Sequence, residues 1–310
     1  MGPLVIVNPR AGGGRAGRTF NGMRSVIERS LGPIDVAFSV ERDHCTRLAE
    51  QAVLDGRSLV IAVGGDGTLS EVANGVLQAG GGAAVGYVGQ GTGGDFGRTL
   101  GLEHRLDRYV DSIARGKDRC IDVGKVRYRS LEGEPRTRWF INILSAGLGG
   151  LVDRHVASSH RTFGPKATYF LASLRALAEC ERACLVCDSS LGKEEASHRL
   201  DAYMIAICNG GYFGGGMHVA PMAKPDDGRL EVVAMNAPSK LAFAGFSRNI
   251  YAGRHLASPG VRHFACDRIR VDLENDHARN VFLLDVDGEP LGVLPIDVEL
   301  VPKALRLRCS

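Results

Sequence analysis

Leu4–Val7, Leu59–Val63 and Ala84–Val88 are short unbroken apolar runs. Between them apolar residues recur at spacings of three and four: Phe20, Met23, Val26, Ile27 and Leu31, then Leu48, Ala49, Ala52 and Val53, then Leu69, Val72, Ala73, Val76 and Leu77. Spacing of that kind lays one apolar stripe along a helix, whereas a short run closed by glycine reads as a buried strand. With Asp35–Val40 as a further strand and Leu106–Ile113 as a further helix, the segment predicts repeated βα units. Such units build a parallel sheet covered on both faces, and ligands gather at the carboxyl ends of its strands.

The pattern changes after Gly116. Ile121–Tyr128, Trp139–Leu144, Ala183–Cys187, Ala202–Cys208, Leu230–Met235, His263–Leu273, Val281–Val286 and Ile296–Val301 read as strands, many joined by hairpin-like turns with Glu-Gly, Gly-Lys or Asp-Gly. This predicts an antiparallel sandwich or barrel-like domain. A helical insert around Lys166–Leu177 interrupts it, and its Phe170, Leu171, Leu174 and Leu177 either pack on the sheet or line an acyl-chain groove. The expected division is an α/β domain over 1–120, an all-β sandwich over 121–300, and a segment 301–310 returning to the first domain. A chain of 310 residues is long for a single core, which agrees with two domains.

Two predicted strands end in glycine turns that carry a carboxylate: Val63-Gly64-Gly65-Asp66-Gly67-Thr68 and Gly91-Thr92-Gly93-Gly94-Asp95-Phe96. Glycines let backbone N–H groups approach a phosphate, and a helix N-terminus adds a favourable dipole. A carboxylate in the same turn can hold a divalent cation against that phosphate. Asp66, Asp95 and Asp122 all fall near strand ends or inside a strand, and together would surround Mg²⁺ on a nucleoside triphosphate. A further loop, Asn8-Pro9-Arg10-Ala11-Gly12-Gly13-Gly14-Arg15, follows the first strand and suits phosphate contact, with Arg10 and Arg15 supplying charge. Its G-x-G-x-x-G over Gly12, Gly14 and Gly17 starts too late after the strand for a dinucleotide fingerprint, and no Walker A sequence exists in the chain.

In the second half, Asn209–Gly216 reads as a mobile glycine loop, and Asp226-Asp227-Gly228 and Asp287-Gly288-Glu289 as hairpin turns. Glu289 is an acid that can take the proton of an attacking hydroxyl.

Net charge is only +3, and no aromatic-rich basic motif or Cys/His finger is present, so nucleic acid is not an expected partner. No apolar run is long enough to span a bilayer. The N-terminus lacks the charged start and long apolar run of a signal peptide, and the eight cysteines show no disulfide framework, so a cytoplasmic location is expected. Cys180, Cys184 and Cys187 have a spacing compatible with a cluster, but they sit in a strand-like run and read as core.

Taken together, Asn8-Pro9…Gly12, Gly64–Thr68, Gly91-Thr92…Asp95-Phe96, Asp122-Val123-Gly124, Phe140-Ile141-Asn142…Gly147, Asn209…Gly214-Gly215-Gly216, Ala220-Pro221…Asp227-Gly228-Arg229-Leu230 and Asp287-Gly288-Glu289 resemble the diacylglycerol kinase-like lipid kinases, the superfamily that includes sphingosine and ceramide kinases. The resemblance runs in order across nearly the whole chain. It implies an NAD kinase- or phosphofructokinase-like nucleotide domain followed by a β-sandwich. It also implies ATP and Mg²⁺ as cofactors and a membrane lipid hydroxyl as acceptor. By resemblance, Gly64, Gly65, Asp66, Gly67, Thr68, Leu69, Ser70 and Thr92 contact ATP, together with Ser39. Glu289 is then the implied proton acceptor and Asp66 an essential acid. Asp227, with the backbone carbonyls of Lys224 and Arg229, is the implied structural Mg²⁺ site.

The family it resembles usually has Asn where this chain has Gly94, a departure that bears on nucleotide affinity. Transient peripheral membrane contact is expected near Arg154, Arg161 and Lys166, and a homodimer is compatible with the sequence. An NAD kinase-like enzyme and a lipid-binding regulatory protein without catalysis are the alternatives.

Overall fold

The computed structural model describes residues 2–91, 93–158, 165–245 and 247–309. The chain divides into two compact units, Met1–Val123 with Pro302–Ser310, and Gly124–Val301.

The first unit alternates β1 (Leu4–Val7), α1 (Arg15–Leu31), β2 (Asp35–Phe38), α2 (His44–Leu54), β3 (Leu59–Gly64), α3 (Asp66–Gln78), β4 (Ala84–Gly89), α4 (Asp95–Thr99) and α5 (Leu106–Arg115). Its strands pair in parallel in the order β2-β1-β3-β4, and the returning segment adds Arg306 and Leu307 in parallel beside Ala84 and Val85. Every residue of β3 and β4 is buried, as expected of central strands covered on both faces. The edge strand β2 is half-exposed and ends two residues earlier than its apolar run.

Helix α3 is buried from Thr68 to Val76 because α2 lies against it. The contact needs glycine: a methyl group on Gly75 would stand 2.1 Å from the Thr46 carbonyl oxygen. Glu71 is buried for a specific reason, since its carboxylate accepts the Cys45 N–H at 3.0 Å and so satisfies a donor in the first turn of α2.

The second unit begins inside β5 (Lys117–Arg129) and continues with β6 (Pro135–Phe140), β7 (Ile143–Gly147), α6 (Leu148–Ser158), α7 (Pro165–Glu179), β8 (Ala183–Leu191), β9 (Glu194–Ala202), β10 (Met204–Cys208), β11 (Tyr212–Phe213) and β12 (Met217–His218). It closes with β13 (Leu230–Met235), α8 (Lys240–Gly245), α9 (Ser247–Tyr251), β14 (Val261–Cys266), β15 (Arg268–Leu273), β16 (Leu283–Val286) and β17 (Glu289–Cys309). Antiparallel strands run β14-β13-β10-β7-β16-β17, while β15 pairs with β17 and β8, and β8 with β9.

Strand β10 shows why its sequence is apolar throughout. Ile205 and Ile207 enter a core shared with Leu185, Ile269 and Val271, whereas Met204, Ala206 and Cys208 enter a second core with Leu151, Val152 and Ala176 of the helices. Both faces are covered, and the architecture is a β-sandwich with helices on one side.

Some expectations need correction. The run His263–Leu273 is two strands broken at Asp267, whose carboxylate accepts Ser190 Oγ at 2.9 Å and the Gly192 N–H at 2.6 Å and so secures the β8–β9 turn. The helical insert expected around Lys166–Leu177 is α7, and α6, α8 and α9 are further helices of this unit that the apolar pattern does not predict. The loop expected to be mobile is a hairpin, β11–β12, in which Tyr212 and His218 stack with ring centres 4.1 Å apart. Of the insert's apolar residues, Leu177 packs on the helix-side core while Leu171 and Leu174 are exposed. The side chain of Phe170 lies outside the described residues.

Candidate active site

In the first unit three loops leave the carboxyl ends of β1, β3 and β4. Asn8 ties the first to the second: its backbone N–H donates to the Val63 carbonyl at 3.0 Å and its Nδ2 to Thr68 Oγ1 at 3.1 Å. Its Oδ1 accepts the Arg10 N–H at 3.0 Å. Gly12, Gly13 and Gly14 follow with φ of 60°, 67° and 84°, a run that only glycine sustains without strain. Space also demands glycine here. A methyl group on Gly12 would stand 2.4 Å from the Gln90 carbonyl oxygen, one on Gly64 2.2 Å from Thr68 Oγ1, and one on Gly91 2.8 Å from Gly65 Cα. The loops therefore meet backbone to backbone around the N-terminus of α3, a setting suited to a polyanion.

Asp66 is the first residue of α3. Its Oδ2 accepts the Asp95 N–H and its Oδ1 the Phe96 N–H, each at 3.2 Å. Asp95 is buried and pairs with Arg98 at 2.7 Å. Both carboxylates look onto one peptide: a methyl group on Gly93 would stand 3.1 Å from Asp66 Oδ2 and 3.5 Å from Asp95 Oδ2. Tyr87 and Tyr109 pack edge to face close by, and the Tyr109 hydroxyl lies 3.0 Å from His104 Nδ1. Burial, reinforced by the Asp66 charge, pushes Tyr109 up to about 12 and Tyr87 well above its ordinary value. Both phenols stay neutral.

Leu69 and Ser70 are fully buried inside α3, and Ser39 is buried at the carboxyl end of β2, where its N–H donates to Val7. Thr92 lies outside the described residues. At Gly94, with φ of 65°, a methyl group would meet only His104 Nδ1 at 3.7 Å, so the lost side chain leaves the α4 turn itself in place.

The expected three-carboxylate set is not assembled. Asp122 is buried on β5 and its Oδ1 accepts the Lys303 N–H at 2.8 Å, which fixes the turn of the returning segment. Among the described residues no group of three or more His, Cys, Asp or Glu side chains is placed to hold a metal ion. The Asp66–Asp95 pair still fits Mg²⁺, which commonly takes one or two protein carboxylates and completes its shell with water and substrate phosphate.

In the second unit Asp287 organises the turn before Glu289. With φ of 51°, it accepts N–H groups from Asn142 (3.1 Å), Ile143 (3.0 Å) and Ile141 (3.2 Å). Glu289 opens β17 and pairs with Arg138 of β6 at 2.7 Å, their side chains 19% and 14% exposed. Asn142 Nδ2 donates to the Tyr212 carbonyl at 2.8 Å and so anchors the β11–β12 hairpin beside this turn. Asp227 accepts the Arg229 N–H at 3.3 Å, and its other oxygen lies 3.5 Å from Arg229 Nε. Its turn is closed by Gly228, with φ of 79°.

Arg98, Arg138 and Gln90 were not singled out from sequence. Arg98 had a usable signal, the three-residue spacing from Asp95 on a helix. Arg138 had none, being 151 residues from its partner.

The chain matches two family models: a diacylglycerol kinase catalytic domain over residues 3–126, and a YegS C-terminal NAD kinase beta sandwich-like domain over residues 142–309. Fold and site thus define a kinase built from a nucleotide-type α/β unit and a β-sandwich. The chain belongs to the diacylglycerol kinase-like family and is a lipid kinase.

It is 26% identical over 294 residues to the diacylglycerol kinase of Staphylococcus haemolyticus, covering 94% of this chain and 83% of the relative. It is 28% identical over 284 residues to a Citrobacter koseri protein named "Probable lipid kinase YegS-like", covering 89% and 86%. Among solved structures, a diacylglycerol kinase from Bacillus anthracis aligns over 100% of this chain and 97% of its own with a TM-score of 0.73 at 19% identity. Yeast NADH kinase complexed with NADH aligns over 99% and 82% with a TM-score of 0.50 at 13% identity. These structural likenesses speak for the fold alone.

Proposed function

We propose that this lipid kinase transfers the γ-phosphate of ATP, with Mg²⁺, to the hydroxyl of a membrane lipid, with diacylglycerol the first acceptor to test. The observation that carries the reading is the convergence of Asp66 and Asp95 on Gly93, among loops that leave room for backbone alone. Diacylglycerol as acceptor is supported by the names of the relatives.

The backbone of Gly12–Gly14 and Gly64–Thr68 holds the polyphosphate. Asp66 and Asp95 would hold the divalent cation, which would supply charge neutralisation on the phosphates. Glu289 accepts the proton of the lipid hydroxyl as its oxygen bonds to the γ-phosphorus. Arg138 orients that carboxylate. The Asp227 turn, with the carbonyls of Lys224 and Arg229, would hold a second, structural cation.

Peripheral membrane contact is supported by exposed Leu171 and Leu174 on α7 and by Leu241 on α8, which is 83% exposed. Arg154, expected to serve there, is paired with Glu179 at 2.8 Å, while Arg161 and the side chain of Lys166 lie outside the described residues. No helix among the described residues is long and apolar enough to cross a membrane.

The test is γ-labelled ATP with a panel of lipids in mixed micelles: diacylglycerol, ceramide, a sphingoid base, phosphatidylglycerol, and NAD as a non-lipid control. Label in a lipid that depends on Mg²⁺ supports the reading. Label in NAD alone, or in nothing, overturns it.

A further inference from the structure

The β5–β6 and β16–β17 hairpins of the second unit meet backbone to backbone. A methyl group on Gly292 of β17 would stand 2.1 Å from the Arg129 carbonyl oxygen at the end of β5. Helix α6 joins them as closely, since one on Gly150 would stand 2.2 Å from the Leu283 carbonyl oxygen of β16. Where the three elements diverge they leave a cavity of about 350 Å³. Leu283 and Val293, which face each other across the β16–β17 ladder, belong to its wall, whereas Glu289 lies at the other end of that hairpin. Four residues of extended strand separate Val293 from Glu289, roughly 13 Å.

The lining is of two kinds. Leu131, Leu283 and Val293 give apolar surface, while Arg129, Arg154 and Arg279 give positive charge, and among the described residues no carboxylate lines the cavity. Arg154 is paired outside it with Glu179 at 2.8 Å. Arg279 is paired with Asp276, and its Nη1 donates to the Leu294 carbonyl at 2.6 Å. Arg129 differs: its Nη1 donates to the Gly133 carbonyl at 3.1 Å, and among the described residues no carboxylate pairs with it. On the same turn Glu134 is taken by Arg136 at 2.7 Å, and Glu132 is exposed. A guanidinium carries five N–H donors, so all three arginines keep donors to spare.

Charge and apolar surface side by side select an amphiphile. An inorganic anion would use the arginines and leave the leucines wet, and a hydrocarbon would cover the leucines and desolvate unpaired charge. A phosphate carrying an acyl chain satisfies both, because arginine bonds phosphate through a fork of N–H donors. The larger groove on the outer strands lacks this bias, being lined by three arginines and four carboxylates. Leu131, 64% exposed, extends the apolar lining outward along the β5–β6 turn. The Arg154–Glu179 pair ties the cavity to the end of α7, the helix that exposes Leu171 and Leu174.

We propose that this cavity binds the phosphate head of an anionic phospholipid, at a site apart from that of the acceptor lipid. Arg129 anchors the phosphate, Arg154 and Arg279 flank it, and Leu131, Leu283 and Val293 cover the start of the acyl chain. Such a site gives the peripheral membrane contact, on which its role rests, a lipid of stated chemistry.

The test uses the full chain and lipids that stay monomeric. Isothermal titration with dihexanoylphosphatidylglycerol below its micelle concentration should show saturable binding. Dihexanoylphosphatidylcholine, without net charge, and inorganic phosphate, without a chain, should each bind about ten-fold more weakly or worse. Arg129→Gln should weaken the anionic lipid by about ten-fold or more, whereas Arg129→Lys keeps the charge and should lose less than about three-fold. Arg127→Gln, which removes a charge two residues earlier on β5, should change nothing. Equal affinity for the two lipids, phosphate binding as tightly as the anionic lipid, or an unchanged Arg129→Gln overturns the site. Should Arg129→Gln fail to fold, the three ligands on the wild-type chain still decide. Flotation with phosphatidylglycerol vesicles separates the site from the membrane reading. Monomeric lipid bound without flotation keeps the site and ends the membrane contact, and flotation without monomer binding does the reverse.

Discussion

Asp66, the first residue of α3, accepts the backbone N–H of Asp95 at 3.2 Å and thereby fixes where α4 begins. One carboxylate serves the second glycine turn and faces the same peptide as the Asp95 carboxylate. Asp66→Asn keeps one acceptor oxygen and loses both the charge and the second acceptor. We expect a kcat loss of about 100-fold or more with a stability cost of only about 1–2 kcal/mol. Steady-state kinetics and thermal melts on the same preparation check this. A variant that retains turnover removes Asp66 from the site.

Glu289→Gln preserves shape and removes the base. Turnover should fall by about 10²- to 10⁴-fold with the KM for ATP little changed. Arg138→Met removes the guanidinium that holds Glu289 but leaves the carboxylate, so its loss should be smaller, about ten-fold. Initial-rate kinetics at saturating lipid give both numbers, and equal losses in the two variants would contradict the division of roles.

Gly12 and Gly22 should respond in opposite ways to alanine. Gly12 has φ of 60° and no room beside Gln90, so Gly12→Ala should cost about 1–3 kcal/mol and weaken ATP binding by about ten-fold or more. Gly22 lies on the exposed face of α1 with nothing within 4 Å, and Gly22→Ala should stabilise by about 0.5–1 kcal/mol. Denaturation and isothermal titration with ATP·Mg²⁺ separate the two effects.

The cysteines should differ in labelling. Burial pushes Cys187 and Cys266 up to about 12 and raises Cys208 further above its ordinary range, whereas Cys120 is exposed. With iodoacetamide at pH 8, Cys120 should be modified first, and Cys187, Cys208 and Cys266 only on unfolding. Mass spectrometry of partly labelled native protein reads this directly. Early modification of Cys208 would show that the core around β10 opens readily.

Much of the first unit was legible because its signals are local. The apolar run of Leu59–Val63 and the spacing of Leu69, Val72, Ala73 and Val76 each specify an element within a dozen residues, and the glycine turn between them marks a strand end. The second unit was harder. Strand β9 (Glu194–Ala202) is largely polar and exposed and is held by its ladder to β8, so its few apolar residues did not announce it. The run His263–Leu273 looked continuous because β14 and β15 are both strands, and the break comes from Asp267 bonding to residues some 75 positions away.

By itself the sequence determined the alternation of strands and helices in the first unit, the position of its glycine turns, and which acids stand in those turns, because backbone freedom and apolar spacing are properties of neighbouring residues. Only the tertiary structure decided the partners. Asp122 meets Lys303 and Arg138 meets Glu289 across more than a hundred intervening residues. Of the three similar-looking aspartates near strand ends, Asp66 and Asp95 are brought onto Gly93 while Asp122 braces the returning segment. These pairings follow from desolvation: a carboxylate taken out of water must find a donor, and which donor lies within reach depends on how distant strands are brought side by side.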